Sequence, residues 1–280
     1  MALPVIRDLQ ALRESVAAWR QSGFTSAIVP TMGALHDGHL DLVQQGFAFA
    51  DRVVTTIFIN PRQFSATEDL GRYPRNELAD IAFLDQHNVN LVFAPDLQEI
   101  YPEDFATSVH LAGPAKAGLE DKFRPQFFDG VATIVAKLLI TAGADHAMFG
   151  EKDYQQLQVV KRLTQDLNIA TTIIGVKTTR NEEGLALSSR NQYLSKAERQ
   201  HASSIYKNLA QAADKIRNGV KPHLATRAAS RSLTTLGFKV DYVSARNAET
   251  LALPKSATEP LRILAAAWLG KTRLIDNIAV

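Results

Sequence analysis

Apolar positions in the first two thirds of the chain switch repeatedly between two periods. Leu9, Leu12, Val16 and Trp19 recur at three- and four-residue spacings, which predicts an amphipathic helix over 8–21. Gly23 ends it, and Thr25-Ser26-Ala27-Ile28-Val29 predicts a short buried strand. The alternation then continues with a loop over 30–38, a helix over 40–50, a β-branched strand over 53–59, a polar loop over 60–75 and a helix over 77–86. Next come a strand over 90–93, a helix over 128–140, a strand over 146–149, a helix over 154–167 and a strand over 171–176. Strands alternating with helices of this length predict a parallel sheet covered on both faces. In such a sheet the ligand site lies beyond the carboxyl ends of the strands.

After Val176 the pattern changes. Residues 178–184 are polar, a long helix is predicted over 196–217, and short strands over 239–244, 261–268 and 272–275. The expected organisation is an α/β domain over 1–180 followed by a smaller α+β domain over 181–280.

Composition narrows the function. The 31 Lys and Arg nearly balance 29 Asp and Glu, for a net charge of +2, which argues against a nucleic-acid arm or a polybasic membrane patch. No cysteine is present, so a disulfide scaffold, a thiol nucleophile and a Cys-ligated metal are excluded. No apolar run approaches the roughly 18–20 residues of a membrane span. Arg7, Asp8, Arg13 and Glu14 fall where a signal peptide needs an apolar stretch, so the expectation is a cytoplasmic protein.

The glycines locate the chemistry. No two are separated by a single residue, so the dinucleotide fingerprint G-x-G-x-x-G is absent. Gly33 and Gly38 have the P-loop interval, but His39 and Leu40 stand where that loop needs Lys and Ser or Thr. What remains is His36-x-Gly38-His39 between a strand and a helix. Two histidines three apart share one face of a first helical turn. The N–H groups and partial positive charge there favour a phosphate and disfavour imidazolium, so neutral rings would donate hydrogen bonds to it. Gly38 lets the backbone approach a nucleotide closely. A pair of surface histidines at a helix start is the plainer alternative.

The stretch Pro30-Thr31-Met32-Gly33-Ala34-Leu35-His36-Asp37-Gly38-His39 resembles the signature of the pantothenate synthetase (pantoate–β-alanine ligase) family. Further matching blocks follow in order: Phe58-Ile59-Asn60-Pro61-Arg62-Gln63-Phe64, Tyr73-Pro74-Arg75, Phe149-Gly150-Glu151-Lys152-Asp153-Tyr154-Gln155-Gln156 and Leu187-Ser188-Ser189-Arg190-Asn191. A weaker match, Thr272-Arg273-Leu274-Ile275-Asp276-Asn277, lies near the C-terminus. The resemblance covers nearly the whole chain. It implies a Rossmann-like nucleotidyltransferase fold and a two-step reaction. Pantoate attacks ATP to give pantoyl adenylate and pyrophosphate, and β-alanine then displaces AMP to form pantothenate. Because charge collects on phosphate oxygens, the protein's task is positioning with preorganised donors.

Carried onto this sequence, the resemblance makes His36, His39, Lys152 and Arg190 the catalytic set. It adds Met32, Gly33, Gly150, Asp153, Val176, Thr179, Leu187, Ser188 and Ser189 to His36, His39, Lys152 and Arg190 as ATP-binding positions. Gln63, Gln156 and Asn60 are expected at pantoate or β-alanine, where a primary amide holds a carboxylate or hydroxyl without adding charge. Ser188-Ser189 ahead of a helix is also an ordinary cap, and the segment around Lys152 can be read as a solvated turn with an internal ion pair.

Magnesium is expected as the ATP counterion, with Asp80 an outer-sphere carboxylate at most. The family is commonly homodimeric. In one place this chain departs from the family: after Arg124-Pro125 a histidine usually stands where Phe127 does here. Two other functions fit parts of the pattern: a different adenylyl- or cytidylyltransferase, and a catalytically silent nucleotide sensor. Gln63, Gln156 and the Ser-Ser-Arg block favour the ligase over the first. Joint retention of His36, His39, Lys152 and Arg190 favours it over the second.

Overall fold

Six short apolar runs pair side by side and in parallel: Val5–Ile6 (β1), Ser26–Thr31 (β2), Arg52–Ile57 (β3), Leu91–Phe93 (β4), His146–Gly150 (β5) and Thr172–Val176 (β6). The computed structural model describes residues 2–64, 70–71, 73–256 and 258–280, so part of the predicted 60–75 loop lies outside the described residues. Helices Leu9–Gln21 (α1), Asp37–Phe49 (α2), Glu77–Gln86 (α3), Leu97–Ile100 (α4), Glu120–Phe123 (α5), Phe127–Ala142 (α6) and Tyr154–Asp166 (α7) alternate with the strands. Five of the six residues of β3 are buried in succession, as strands covered on both faces require.

The strand order is β1-β4-β3-β2-β5-β6. The chain therefore builds outward from β2 on one side and returns to its other side with β5, where Ala27 pairs with His146 and Ile28 with Ala147. That reversal is the topological switch point of a Rossmann-like sheet. The segments after β2 and β5 both leave the sheet beside it.

The later part of the chain is α+β. Lys196–Ala202 (α8), Ser204–Arg217 (α9) and Pro222–Thr235 (α10) precede an antiparallel sheet of Lys239–Asn247 (β7), Leu261–Leu269 (β8) and Thr272–Ala279 (β9). Its core joins Leu209, Ala213, Ala229 and Leu233 of the helices to Ala245, Ile263, Ala267 and Leu274 of the sheet.

Several elements differ from the sequence expectation. The helix predicted over 196–217 is interrupted at Ser203, leaving α8 and α9 as separate elements. β1 and α10 were not anticipated. α10 starts at Pro222, where a missing N–H costs nothing, and buries Ala225, Thr226, Ala229 and Leu233. Three of those four are small or polar, so the stripe is faint in hydropathy.

By internal packing the chain divides into two compact units, 1–151 with 159–176, and 152–158 with 177–280. The segment 152–158 thus belongs with the later residues although it precedes β6. In that unit the Tyr154 hydroxyl donates to the Ala248 carbonyl at 2.9 Å, and the Arg262 guanidinium lies 4.2 Å from the Tyr154 ring centroid.

Candidate active site

In the first unit the site begins where β2 ends. Thr31 Oγ1 accepts from the Gly33 N–H at 3.2 Å, and Gly33 and Ala34 both take positive φ, 78° and 52°. This turn is fastened from outside. Asp80, 6% exposed on α3, accepts from the N–H groups of Ala34 at 2.9 Å and Leu35 at 2.8 Å through its two carboxylate oxygens. A Cβ at residue 33 would sit 2.8 Å from Asp80 Oδ2, so the close approach requires glycine. Both oxygens of Asp80 thus serve the backbone. Asp80, the carboxylate expected near the cation, anchors the loop in this way.

The loop delivers His36 to the N-cap of α2. His36 Nδ1 accepts from the Gly38 N–H at 3.1 Å, while His39 Nδ1 accepts from the His36 N–H at 3.2 Å. The rings lie 4.1 Å apart between centroids, tilted by 44°. This is a capping box with two imidazoles in place of Ser and Glu. It also explains why α2 begins three residues earlier than hydropathy predicts. A ring that accepts at Nδ1 has its lone pair there, so its proton sits on Nε2. Both histidines therefore carry an Nε2–H donor at the end of a 13-residue helix, whose dipole favours an anion.

A second cluster of the same unit surrounds Gln63. Asn60, 1% exposed, uses both ends of its amide. Oδ1 accepts from the Arg62 N–H at 3.3 Å and the Tyr101 hydroxyl at 3.0 Å, and Nδ2 donates to Gln63 Oε1 at 2.8 Å and the Gly130 carbonyl at 3.1 Å. Burial pushes the Tyr101 phenol up to about 12, so it remains a protonated donor. The bond from Asn60 to Oε1 of Gln63 thereby fixes which end of that amide faces Asn60. α6 packs tightly here: a Cβ on Gly130 would come within 2.1 Å of the Arg62 carbonyl oxygen.

Phe127 acquires a physical role in this cluster. Its ring lies 3.6 Å from the Arg124 guanidinium carbon, and Arg124 Nη2 donates to the Gln63 carbonyl at 2.9 Å. An aromatic face thus supports the arginine that pins the Gln63 backbone.

A cavity of about 380 Å³ opens at the carboxyl ends of β2, β3 and β4, lined by Met32, Gly33, Phe58, Pro61 and Asp80 among others. Of the residues assigned to ATP or the acid from the sequence, Met32 and Gly33 line it. Gly150 ends β5, and Val176, buried in the core, ends β6.

The other assigned residues belong to the second unit. Lys152 and Asp153 form a short turn ahead of α7 with Nζ and Oδ2 3.9 Å apart, and Gln156 is half-buried on the first turn of that helix. The Thr179 carbonyl accepts from the Leu187 N–H at 3.0 Å, which aligns the segment before Arg180 with the one before Ser188. Ser188 Oγ accepts from the Arg190 N–H at 3.3 Å and caps the short turn Ser189–Tyr193, so the capping role of the Ser-Ser block is realised. The anchoring of the turn by Asp80 escaped sequence reasoning, although the residue stood out as an acid inside the apolar run 78–84.

The family model described as pantoate-beta-alanine ligase matches residues 4–279. The chain belongs to the pantoate–β-alanine ligase family. It is 50% identical over 277 residues to the pantothenate synthetase of Rhodopseudomonas palustris, covering 99% of this chain and 98% of that relative. Among solved structures it is similar to the pantothenate synthetase from Thermus thermophilus, with a TM-score of 0.92, 40% identity and 99% of each chain covered. It is also similar to the pantoate–β-alanine ligase from Francisella tularensis complexed with beta-gamma ATP and beta-alanine. There the TM-score is 0.82 at 32% identity, covering 99% of this chain and 98% of that one. No helix of the described residues is long and apolar enough to cross a membrane.

Proposed function

We propose that this chain, like the relatives it matches end to end, makes pantothenate from pantoate and β-alanine at the expense of ATP, releasing AMP and pyrophosphate. The observation that carries the proposal is the pair of imidazoles capping α2. Both present Nε2–H donors at a helix N-terminus, and that arrangement suits the oxygens of a triphosphate.

In the first step a pantoate carboxylate oxygen bonds to the α-phosphorus, and the bond from that phosphorus to the bridging oxygen of pyrophosphate breaks. Gln63, oriented by Asn60, donates its amide N–H to pantoate, with Gln156 as a second amide. Neutral amides hold the acid without lowering its nucleophilicity as a lysine would. His36, His39, Lys152 and Arg190 supply donors and positive charge to the phosphates as negative charge moves onto pyrophosphate. Met32, Gly33, Gly150, Val176, Thr179 and Leu187 line the nucleotide site through the backbone, Ser188 and Ser189 sit against the phosphates, and Asp153 accepts from the ribose hydroxyls. In the second step the β-alanine amine, losing a proton, attacks the acyl carbon, and the bond from that carbon to the AMP oxygen breaks.

Magnesium would neutralise part of the triphosphate charge. It would be held mainly by the phosphates and water. The reading also takes the enzyme as a cytoplasmic homodimer, the dimer being checked by light scattering. The deciding experiment is exchange of labelled pyrophosphate into ATP. Exchange that requires pantoate and needs no β-alanine supports the adenylate, whereas exchange without pantoate points to another transferase and none at all to a nucleotide sensor.

A further inference from the structure

The block Thr272–Asn277 has no part in the reaction as derived so far, yet it ends in two consecutive buried polar residues. Asp276 is 5% exposed and Asn277 2%. On a strand, neighbours point to opposite faces, so a buried pair in sequence must satisfy two separate environments.

Asp276 shares its face with Leu274. Its carboxylate receives the Arg180 guanidinium at 2.6 and 2.8 Å, and that guanidinium lies 3.8 Å from the ring centroid of Tyr206 on α9. Asn277 works on the other face. Its Oδ1 accepts from Arg262 Nε at 2.7 Å, and its Nδ2 donates to the carbonyl oxygen of Lys152 at 2.9 Å. Groups buried this deeply are costly unless partnered, and each of these has a partner chosen by geometry. Arg180 adjoins Thr179, whose carbonyl pairs with the Leu187 N–H. Two segments far apart in sequence, the turn bearing Lys152 and the loop bearing Thr179, are therefore fastened to one dipeptide.

We propose that Asp276-Asn277 is a positioning element for the ligase reaction: Asn277 sets the backbone from which the Lys152 ammonium reaches phosphate, and Asp276 holds the Thr179 loop through Arg180. The inference rests on the ligase reading of Lys152.

Asn277→Asp tests it, because the substitution is isosteric, keeps an acceptor for Arg262 and loses the donor to Lys152. In pantoate-dependent pyrophosphate exchange, kcat should fall about tenfold, the scale of one buried hydrogen bond, while KM for pantoate barely moves. In a Lys152→Ala background the same change should cost nothing further. An equal cost in both backgrounds, an unchanged kcat, or a fall in thermal midpoint without a fall in kcat overturns the inference and leaves the ligase reading standing. No exchange in the unsubstituted chain removes both. Should the carboxylate beside Asp276 prevent folding, Asn277→Ala enters the same cycle with the same criteria.

Discussion

The histidine corner of the first unit and the Lys152 turn of the second are held in place by different means. His36 and His39 are fixed largely by neighbours in sequence: two positive-φ residues, a helix start and a mutual exchange of backbone N–H groups. Asp80 reaches in from α3 to anchor the turn before them. Lys152 is fixed by a side chain 125 positions away, itself oriented by a third element. A geometry built from backbone torsions survives most distant substitutions. One built from side-chain partners can be retuned by any of them. The Gln63 cluster lies between these extremes, with a local amide pair from Asn60 and a remote support from Arg124 and Phe127.

The sharpest break of that comparison is at the histidines. His39→Ala should slow adenylate formation by about 10²–10³, or 3–4 kcal/mol, as for loss of one preorganised donor. Pantoate-dependent exchange measures this, and turnover close to wild type would take His39 out of the mechanism. Gly130→Ala comes next. Its methyl group would meet the Arg62 carbonyl, so the substitution should cost about 3 kcal/mol of stability, read from urea unfolding. A neutral outcome would mean that α6 can move away from the Gln63 turn freely.

Smaller effects test the remote supports. Phe127→Leu keeps apolar volume but loses the ring face over Arg124, and should raise KM for pantoate by about fivefold, near 1 kcal/mol, with KM for ATP unchanged. Phe127→Tyr should behave as wild type; equal loss in both variants would leave only a packing role. The smallest effect concerns pH. The Tyr101 phenol is raised above its ordinary value of 10 to about 12, so its contribution to stability is complete below pH 10 and disappears as pH rises through 12. Between those values the wild type should lose more stability than Tyr101→Phe. Parallel curves would mean that the phenol is not held by burial.

This contrast also explains what could be read without coordinates. The βα alternation and the two histidines at a helix start are written in contiguous residues, so period and spacing reveal them, whereas the switch point depends on pairing of Ala27 with His146 and is not legible there. α10 escaped because Ala225, Thr226 and Ala229 bury a stripe too small and too polar to stand out. The break at Ser203 escaped because no proline or glycine marks it. Asp80 stands out in the sequence as an acid, but only the fold shows that its two oxygens accept from the backbone N–H groups of Ala34 and Leu35. Asn277 was quoted as a weak match with no role, because its partner is a carbonyl, which has no sequence signature.

The exchange between His36 and His39 carries one more consequence. Each ring can act as a cap only while its Nδ1 holds a lone pair, so acidification that protonates either imidazole must also undo a bond that starts α2. The Nε2–H donors survive such a protonation, but the helix start that holds the two rings does not, so activity at the acid limb should fall together with amide protection at residues 36–39.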